Sequence, residues 1–223
     1  IFEYVYFARP DSILDEIPVQ EARLRMGAML AKENPVSADV VIGVPDSGLG
    51  AALGYSHAAG IPYATGIVKN KYIGRSFIAP TQKERENTVF VKLNTIKNEI
   101  NGKRVIVIDD SIVRGTTSKR LIQILRKAGA KEVHFRVSSP PVKFPCYFGI
   151  DTPRRAELIS SDHDVEAIRE EIGADSLAFL SMDGMLEALR SCNPEQYGYC
   201  KGCFTGEYPV AVPGEIRSAQ LRC

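Results

Sequence analysis

The chain has 223 residues, 44% hydrophobic and 25% charged, which suits one large α/β domain or one domain with an appendage. Lys and Arg number 28 against 27 Asp and Glu, a formal net charge of +1 that gives no support for a nucleic-acid or anionic-membrane partner. No apolar run is long enough to span a bilayer and no secretory signal is visible, so a cytoplasmic setting is expected. The chain begins at Ile1 rather than a methionine, which points to a piece of a longer protein.

In chain order, the alternating aromatics of Ile1–Ser12 predict a short strand that turns at Arg9-Pro10-Asp11-Ser12. Pro18–Lys32 reads as a helix, with Leu24, Ala28 and Ala31 at helical spacing. Val40–Val44 is a buried strand, followed by Pro45-Asp46-Ser47-Gly48-Leu49-Gly50 and a helix over Leu49–Ala59. Gly48, Gly50 and Gly54 imitate a dinucleotide-binding fingerprint, but Leu53 occupies the third glycine's place. The segment is either a second anion loop or a plain strand–turn–helix, and His57 in its helix is structural. Ile61–Gly66 is a short strand leading into the basic stretch Lys69–Phe77, with Lys69 and Arg75, either a lid over a polyphosphate or a solvated loop. Thr81–Asn94 holds a helical turn and a strand over Thr88–Leu93, and Lys97–Lys103 is turn-rich.

Arg104–Ser118, RVIVIDDSIVRGTTS, organises the rest. Val105–Ile108 reads as a strand buried on both faces of a parallel sheet. It ends on two adjacent carboxylates, Asp109 and Asp110, placed to bind ribose hydroxyls and a hydrated Mg²⁺. Next comes a glycine- and hydroxyl-rich loop with Ser111, Arg114, Gly115, Thr116, Thr117 and Ser118, then an amphipathic helix. Unpaired N–H groups at that helix start suit a phosphate, and Gly115 lets the backbone approach it closely. Leu121, Ile122 and Leu125 form the helix's apolar face, and Gly129 stands where a C-cap glycine belongs. Glu132–Val137 alternates, which predicts a third strand half exposed or near an edge, with His134 at the surface or structural. Glu157–Ser160 and Val165–Ile172 look helical, with Asp162-His163-Asp164 a solvated loop between them. Leu177–Leu180 reads as a strand and Met182–Arg190 as a helix. Cys146 lies in a proline-rich irregular segment, and Cys192, Cys200, Cys203 and Cys223 cluster near the end. An odd cysteine count with a Cys200-Lys-Gly-Cys203 spacing favours metal or cluster ligation over a disulfide framework.

VIVIDDSIVRGTTS resembles the phosphoribosyl-diphosphate (PRPP) motif of the type I phosphoribosyltransferases. With FEYVYFARPDS, KNKYIGRSFIAPTQ, SSPPVKFPCYFGID and CKGCFTGEYP, nearly the whole chain through Pro209 is similar to the transferase half of the glutamine PRPP amidotransferase family, which begins de novo purine synthesis. The resemblance implies an α/β fold with a mostly parallel central sheet flanked by helices and a C-terminal cysteine-bearing extension. It implies a transferase domain over 1–190 and a cluster-ligand segment over 191–223, the family's N-terminal glutaminase domain being absent from these residues. By position, Asp109 and Asp110 match the acids on ribose and Mg²⁺, and Ser47 matches a third Mg²⁺ contact. Asp46, Ser47 and Gly48 match the pyrophosphate loop. Ser111, Ile112, Val113, Arg114, Gly115, Thr116 and Thr117 match the wrap around the 5′-phosphate, and Lys69 and Arg75 the closing loop. Cys146, Cys200 and Cys203 match three ligands of a [4Fe-4S] cluster whose fourth cysteine would stand immediately before Ile1. The implied reaction replaces the pyrophosphate of PRPP with ammonia, drawn from glutamine in the full enzyme. Purine nucleotides are implied as inhibitors, with homo-oligomeric assembly. A PRPP-sensing regulator would need a DNA-binding module or basic face, which the chain does not show. A salvage transferase would have no use for the cysteine segments.

Overall fold

The structure is a computed structural model that describes residues 1–69, 93–152, 154–196 and 198–212. After a π-helical turn at Glu3–Phe7 come β1 (Ile13–Leu14), β2 (Ile17–Pro18), α1 (Val19–Glu33), β3 (Val40–Gly43) and α2 (Gly48–Ala59). They are followed by β4 (Ile67–Lys69), β5 (Leu93–Thr95), the single turn α3 (Lys97–Ile100), β6 (Arg104–Asp109), α4 (Thr116–Lys127) and β7 (Glu132–Val137). Two 3₁₀ turns at Arg155–Glu157 and Ile159–Ser161 lead to α5 (Val165–Ile172), β8 (Ser176–Phe179), α6 (Met182–Cys192) and α7 (Gly202–Thr205). Strands β3, β6, β7 and β8 form one parallel sheet ordered β3-β6-β7-β8. Two antiparallel pairs, β1–β2 and β4–β5, stand outside it.

The pleat of β6 divides the core. Ile106 and Ile108 face α1, α2 and α6, where Met26, Leu30, Tyr55, Met185 and Leu189 are buried. Val105 and Val107 face α4 and α5, where Leu121, Ile122, Leu125, Ile168 and Ile172 are buried. Helices thus cover both faces, which is why β6 reads as an unbroken apolar run. Such a sheet presents the carboxyl ends of its strands along one edge, where its loops gather into a site. No helix among the described residues is long and apolar enough to cross a membrane.

Several local expectations change. The segment 1–12 holds a π-helical turn rather than a strand, because Arg23 on α1 draws in the carbonyls of Tyr4, Tyr6 and Ala8. β7 lies near an edge, beside the edge strand β8, but it is buried rather than half exposed. His134 takes the structural of its two expected placements, buried between Ser176 Oγ (2.9 Å) and Glu132 Oε2 (3.1 Å), so its face is polar yet covered. Within 61–66 only Tyr63 bridges to the sheet, at Val41, and the strand itself starts at Ile67. The turn and strand expected over 81–92 lie outside the described residues.

At the amino ends of β3 and β6, Asp39 accepts from the Arg104 guanidinium (2.9 Å) and from its backbone N–H (2.8 Å). These donors hold the Asp39 carboxyl down at about 2, from an ordinary 3.8. A lowered folded-state value contributes stability above the ordinary carboxylate range and loses it as pH falls through about 2. Asp39→Ala should therefore lower the denaturation midpoint at neutral pH, with the gap narrowing as pH is taken down through that window.

Candidate functional site

Two loops meet at the carboxyl edge of the sheet. The one after β3 is pinned by Val44 N donating to the Ile108 carbonyl (2.8 Å). Gly48 then starts α2 so near β6 that a Cβ there would come within 2.7 Å of the same carbonyl. The other loop follows β6, its backbone fixed by Ser138 N on the Asp109 carbonyl (2.9 Å) and Ser139 Oγ on the Asp110 carbonyl (2.8 Å). Gly115 caps α4 with φ +76°, a left-handed conformation that glycine adopts without strain.

Between the loops lies a cavity of about 840 Å³. Asp109 and Asp110, both buried, stand at its floor. The hydroxyls of Ser47 and Ser111 donate to the two oxygens of Asp110, so both loops converge on one carboxylate. Asp109 Oδ1 accepts from Asp110 N (3.0 Å). Burial, and then the adjacent Asp110 charge, push the Asp109 carboxyl well above its ordinary range. Burial raises Asp110 as well, opposed by the Ser111 and Ser47 hydroxyls and by the charge of Arg23.

Asp46, Ser47, Lys69, Ser111, Val113, Arg114, Gly115, Thr116 and Thr117 also line the cavity. Lys69 Nζ reaches Asp46 Oδ2 at 2.9 Å, and Arg114 pairs with Glu157 at 2.9 Å. Thr116 and Thr117 are exposed, and α4 begins with no side-chain cap, so its first N–H groups and these hydroxyls face the cavity uncommitted. Ile112 turns its side chain into the core, and Gly48 packs against β6, leaving each only its backbone near the site. Arg75 lies outside the described residues.

Other residues that line the cavity escaped the sequence reading: Phe2, Tyr6, Phe7 and Arg9 in and around the first turn, Ile150–Thr152, and Arg23. Arg23 alone carried a usable signal. It is a charge within the buried stripe of α1, among Val19, Met26 and Leu30.

The cysteine segments come together on the other side of that first turn. Lys143 N and Phe144 N both donate to the Cys203 carbonyl (3.0 Å), and the Ile1 ammonium donates to the Cys200 carbonyl (3.2 Å). Burial, with Cys146 and Cys200 nearby, pushes the Cys203 thiol up to about 12. Cys192 instead donates to the Ala188 carbonyl of α6 (3.4 Å), and Cys223 is outside the described residues. Among the described residues, no three His, Cys, Asp or Glu side chains are arranged to hold a metal ion. The Cys146, Cys200 and Cys203 thiols are close enough to influence one another, but as they stand they do not form a ligand set.

Residues 21–140 match the family model for the phosphoribosyl transferase domain. The chain is similar to the amidophosphoribosyltransferase of Archaeoglobus fulgidus, 55% identical over 96% of this chain and 47% of that protein. That of Bacillus subtilis is 54% identical over 94% of this chain and 44% of that protein. Two solved structures superpose with a TM-score of 0.85. One is described as the allosteric regulatory enzyme of purine biosynthesis (52% identical, 95% of this chain, 46% of that one). The other is the B. subtilis glutamine PRPP amidotransferase complexed with ADP and GMP (54% identical, 94% of this chain, 46% of that one). The chain spans about half the length of the curated relatives it matches. These relatives do not favour a sensor or a salvage enzyme. With a matching model over more than half its length and a doubly looped acid-floored cavity, the chain belongs to the phosphoribosyltransferase family.

Proposed function

We propose that the chain carries out the transfer half of an amidophosphoribosyltransferase: ammonia displaces pyrophosphate from C1 of PRPP, giving 5-phosphoribosylamine. The observation that carries this reading is the junction at Asp110, where the hydroxyls of two separate anion-type loops meet on one buried acid. That arrangement suits a ligand with phosphate at both ends and hydroxyls between them.

The N–H groups at the start of α4, with Ser111, Thr116 and Thr117, would hold the 5′-phosphate. Asp109 and Asp110 would accept the ribose hydroxyls. Ser47 and the start of α2 would hold the diphosphate, with Lys69 released from Asp46 to join them, and Arg75 assigned beside it by the resemblance. Ser47, Asp109 and Asp110 offer hydroxyl and carboxylate oxygens, a donor set that fits Mg²⁺. When bound, Mg²⁺ supplies neutralisation of the charge that develops on the departing diphosphate. A C1–N bond forms as the C1–O bond to diphosphate breaks, and the surplus ammonia proton passes to solvent. No basic side chain is required, because diphosphate leaves readily and the demand is for positioning and for exclusion of water.

Cys146, Cys200 and Cys203 would hold three corners of a [4Fe-4S] cluster. The reading divides the chain into a transferase domain over 1–190 and a ligand segment over 191–223, in a cytoplasmic homo-oligomer. Glutamine would be used through a glutaminase domain. Purine nucleotides would inhibit by placing their phosphate on the α4 loop, in keeping with the ADP and GMP of the B. subtilis relative.

The test is pyrophosphate release from PRPP and Mg²⁺ by the purified chain. Release with ammonium, and none with glutamine, adenine or hypoxanthine, is expected. Release with a free base alone would overturn the reading in favour of a salvage enzyme.

A further inference from the structure

Among the described residues four cationic side chains line the cavity, and three are already engaged by acids: Arg9 with Asp11 (2.7 Å), Lys69 with Asp46 (2.9 Å) and Arg114 with Glu157 (2.9 Å). Arg23 is the exception, and it is the buried one, 4% exposed. Its Nε donates to the Tyr4 carbonyl (2.8 Å), and its Nη2 to those of Tyr6 (3.2 Å) and Ala8 (2.8 Å). These three bonds fix the plane of the guanidinium. Nη1 takes no part in them, and Arg23 is one of the residues that line the cavity.

Asp110 accepts from Ser47 and Ser111, while the hydrogen bonds of Arg23 go to backbone carbonyls, so the two interact through charge. Arg23 also packs beside the first turn of α2, where a Cβ on Gly50 would lie 3.0 Å from its own Cβ. Its stem therefore packs against the helix that follows the Asp46–Gly48 loop, with its charge felt at Asp110. A buried cation held by neutral carbonyls, next to two carboxylates that would repel an anion, is complementary to a polyanion arriving there. Its fork keeps three of five N–H donors occupied and leaves the two on Nη1, which a lysine could not do.

We infer that Arg23 is a binding residue of the site, its Nη1 taking an oxygen of the diphosphate group. This rests on the reading of the cavity as a PRPP site and adds a residue to it.

The experiment is calorimetric titration of the purified chain and of Arg23→Gln with Mg²⁺-pyrophosphate and, separately, with ribose 5-phosphate. A charge-assisted hydrogen bond predicts pyrophosphate affinity about ten- to a hundredfold weaker in the variant. Ribose 5-phosphate affinity should stay within about twofold. Equal losses for both ligands would make Arg23 a mere wall support, and no loss for either would leave it without a role; each overturns the inference. If Arg23→Gln shows no cooperative unfolding, the decision passes to the unsubstituted chain and the Nε–Hε NMR signal of Arg23. A shift on adding Mg²⁺-pyrophosphate but not ribose 5-phosphate is expected, and an unmoved signal overturns the inference. Should the unsubstituted chain bind neither PRPP nor pyrophosphate, the PRPP reading itself falls, and this inference with it.

Discussion

Replacing both acids at the end of β6, Asp109→Asn with Asp110→Asn, should reduce ammonium-dependent pyrophosphate release by about a thousandfold or more while the fold persists. The loss is large because this pair supplies the buried carboxylates that line the cavity, one of them the meeting point of the Ser47 and Ser111 hydroxyls. Stability should move the other way. Burial and mutual repulsion raise the Asp109 carboxyl in the folded chain, so the folded state favours the neutral form. The stability tied to that group is complete below the ordinary value of 3.8 and is lost as pH rises through the raised one. An amide has no such dependence. In metal-free buffer, the variant should therefore match or exceed the parent in Tm at neutral pH, its advantage disappearing in acid. Mg²⁺ with PRPP should raise the Tm of the parent and leave the variant unmoved. Normal turnover in the double variant, or equal stabilisation of both proteins by the ligands, would remove the acids from the mechanism.

The acids were legible because every cue around them is local. Val105–Ile108 is unbroken and apolar because helices cover both faces of β6, and the change to carboxylates, hydroxyls and glycine marks the sheet's edge within a few residues. The same holds for α4, whose Leu121, Ile122 and Leu125 are buried as their spacing requires. The errors have a different origin. The first twelve residues carry the alternation of a strand, yet their carbonyls are claimed by Arg23, fifteen to nineteen positions away. In β7 the alternation suggests a half-exposed strand, yet its polar members, His134 and Arg136, do not face solvent. They are buried because Ser176, on the neighbouring strand, supplies a hydroxyl to both, and Asn34, at the end of α1, offers its carbonyl to Arg136. Periodicity reports which residues share a face, and it does not report whether a distant partner will satisfy that face.

Gly54 extends this contrast into a result against the usual sign. An alanine inside a helix ordinarily gains about 1 kcal/mol over glycine. At Gly54 in α2 a Cβ would fall 1.9 Å from the Leu24 carbonyl oxygen of α1, and at Gly27 in α1 a Cβ would fall 1.9 Å from the Ala51 carbonyl oxygen of α2. The two helices thus approach each other backbone to backbone through a reciprocal pair of glycines, and neither obstacle is a side chain that could swing away. Forcing a methyl into such a contact costs about 3 kcal/mol against the propensity gain, so Gly54→Ala should destabilise by about 2 kcal/mol, a fall in Tm of about 4–8 °C. Gly184→Ala in α6 is the comparison, because the nearest atoms there belong to the tip of the Glu33 side chain, which can swing away at the loss of its hydrogen bonds from Ser181. It should lower Tm by less than Gly54→Ala. The separation matters for the site, since α2 carries Ser47 at its start and α1 carries Arg23. Pushing the helices apart moves the hydroxyl and the guanidinium relative to Asp110, so Gly54→Ala should also weaken PRPP binding well below its own melting range. An unchanged Tm, or a raised one, would show that α1 and α2 can separate without cost, and the resemblance of Gly48, Gly50 and Gly54 to a nucleotide fingerprint would lose its packing explanation.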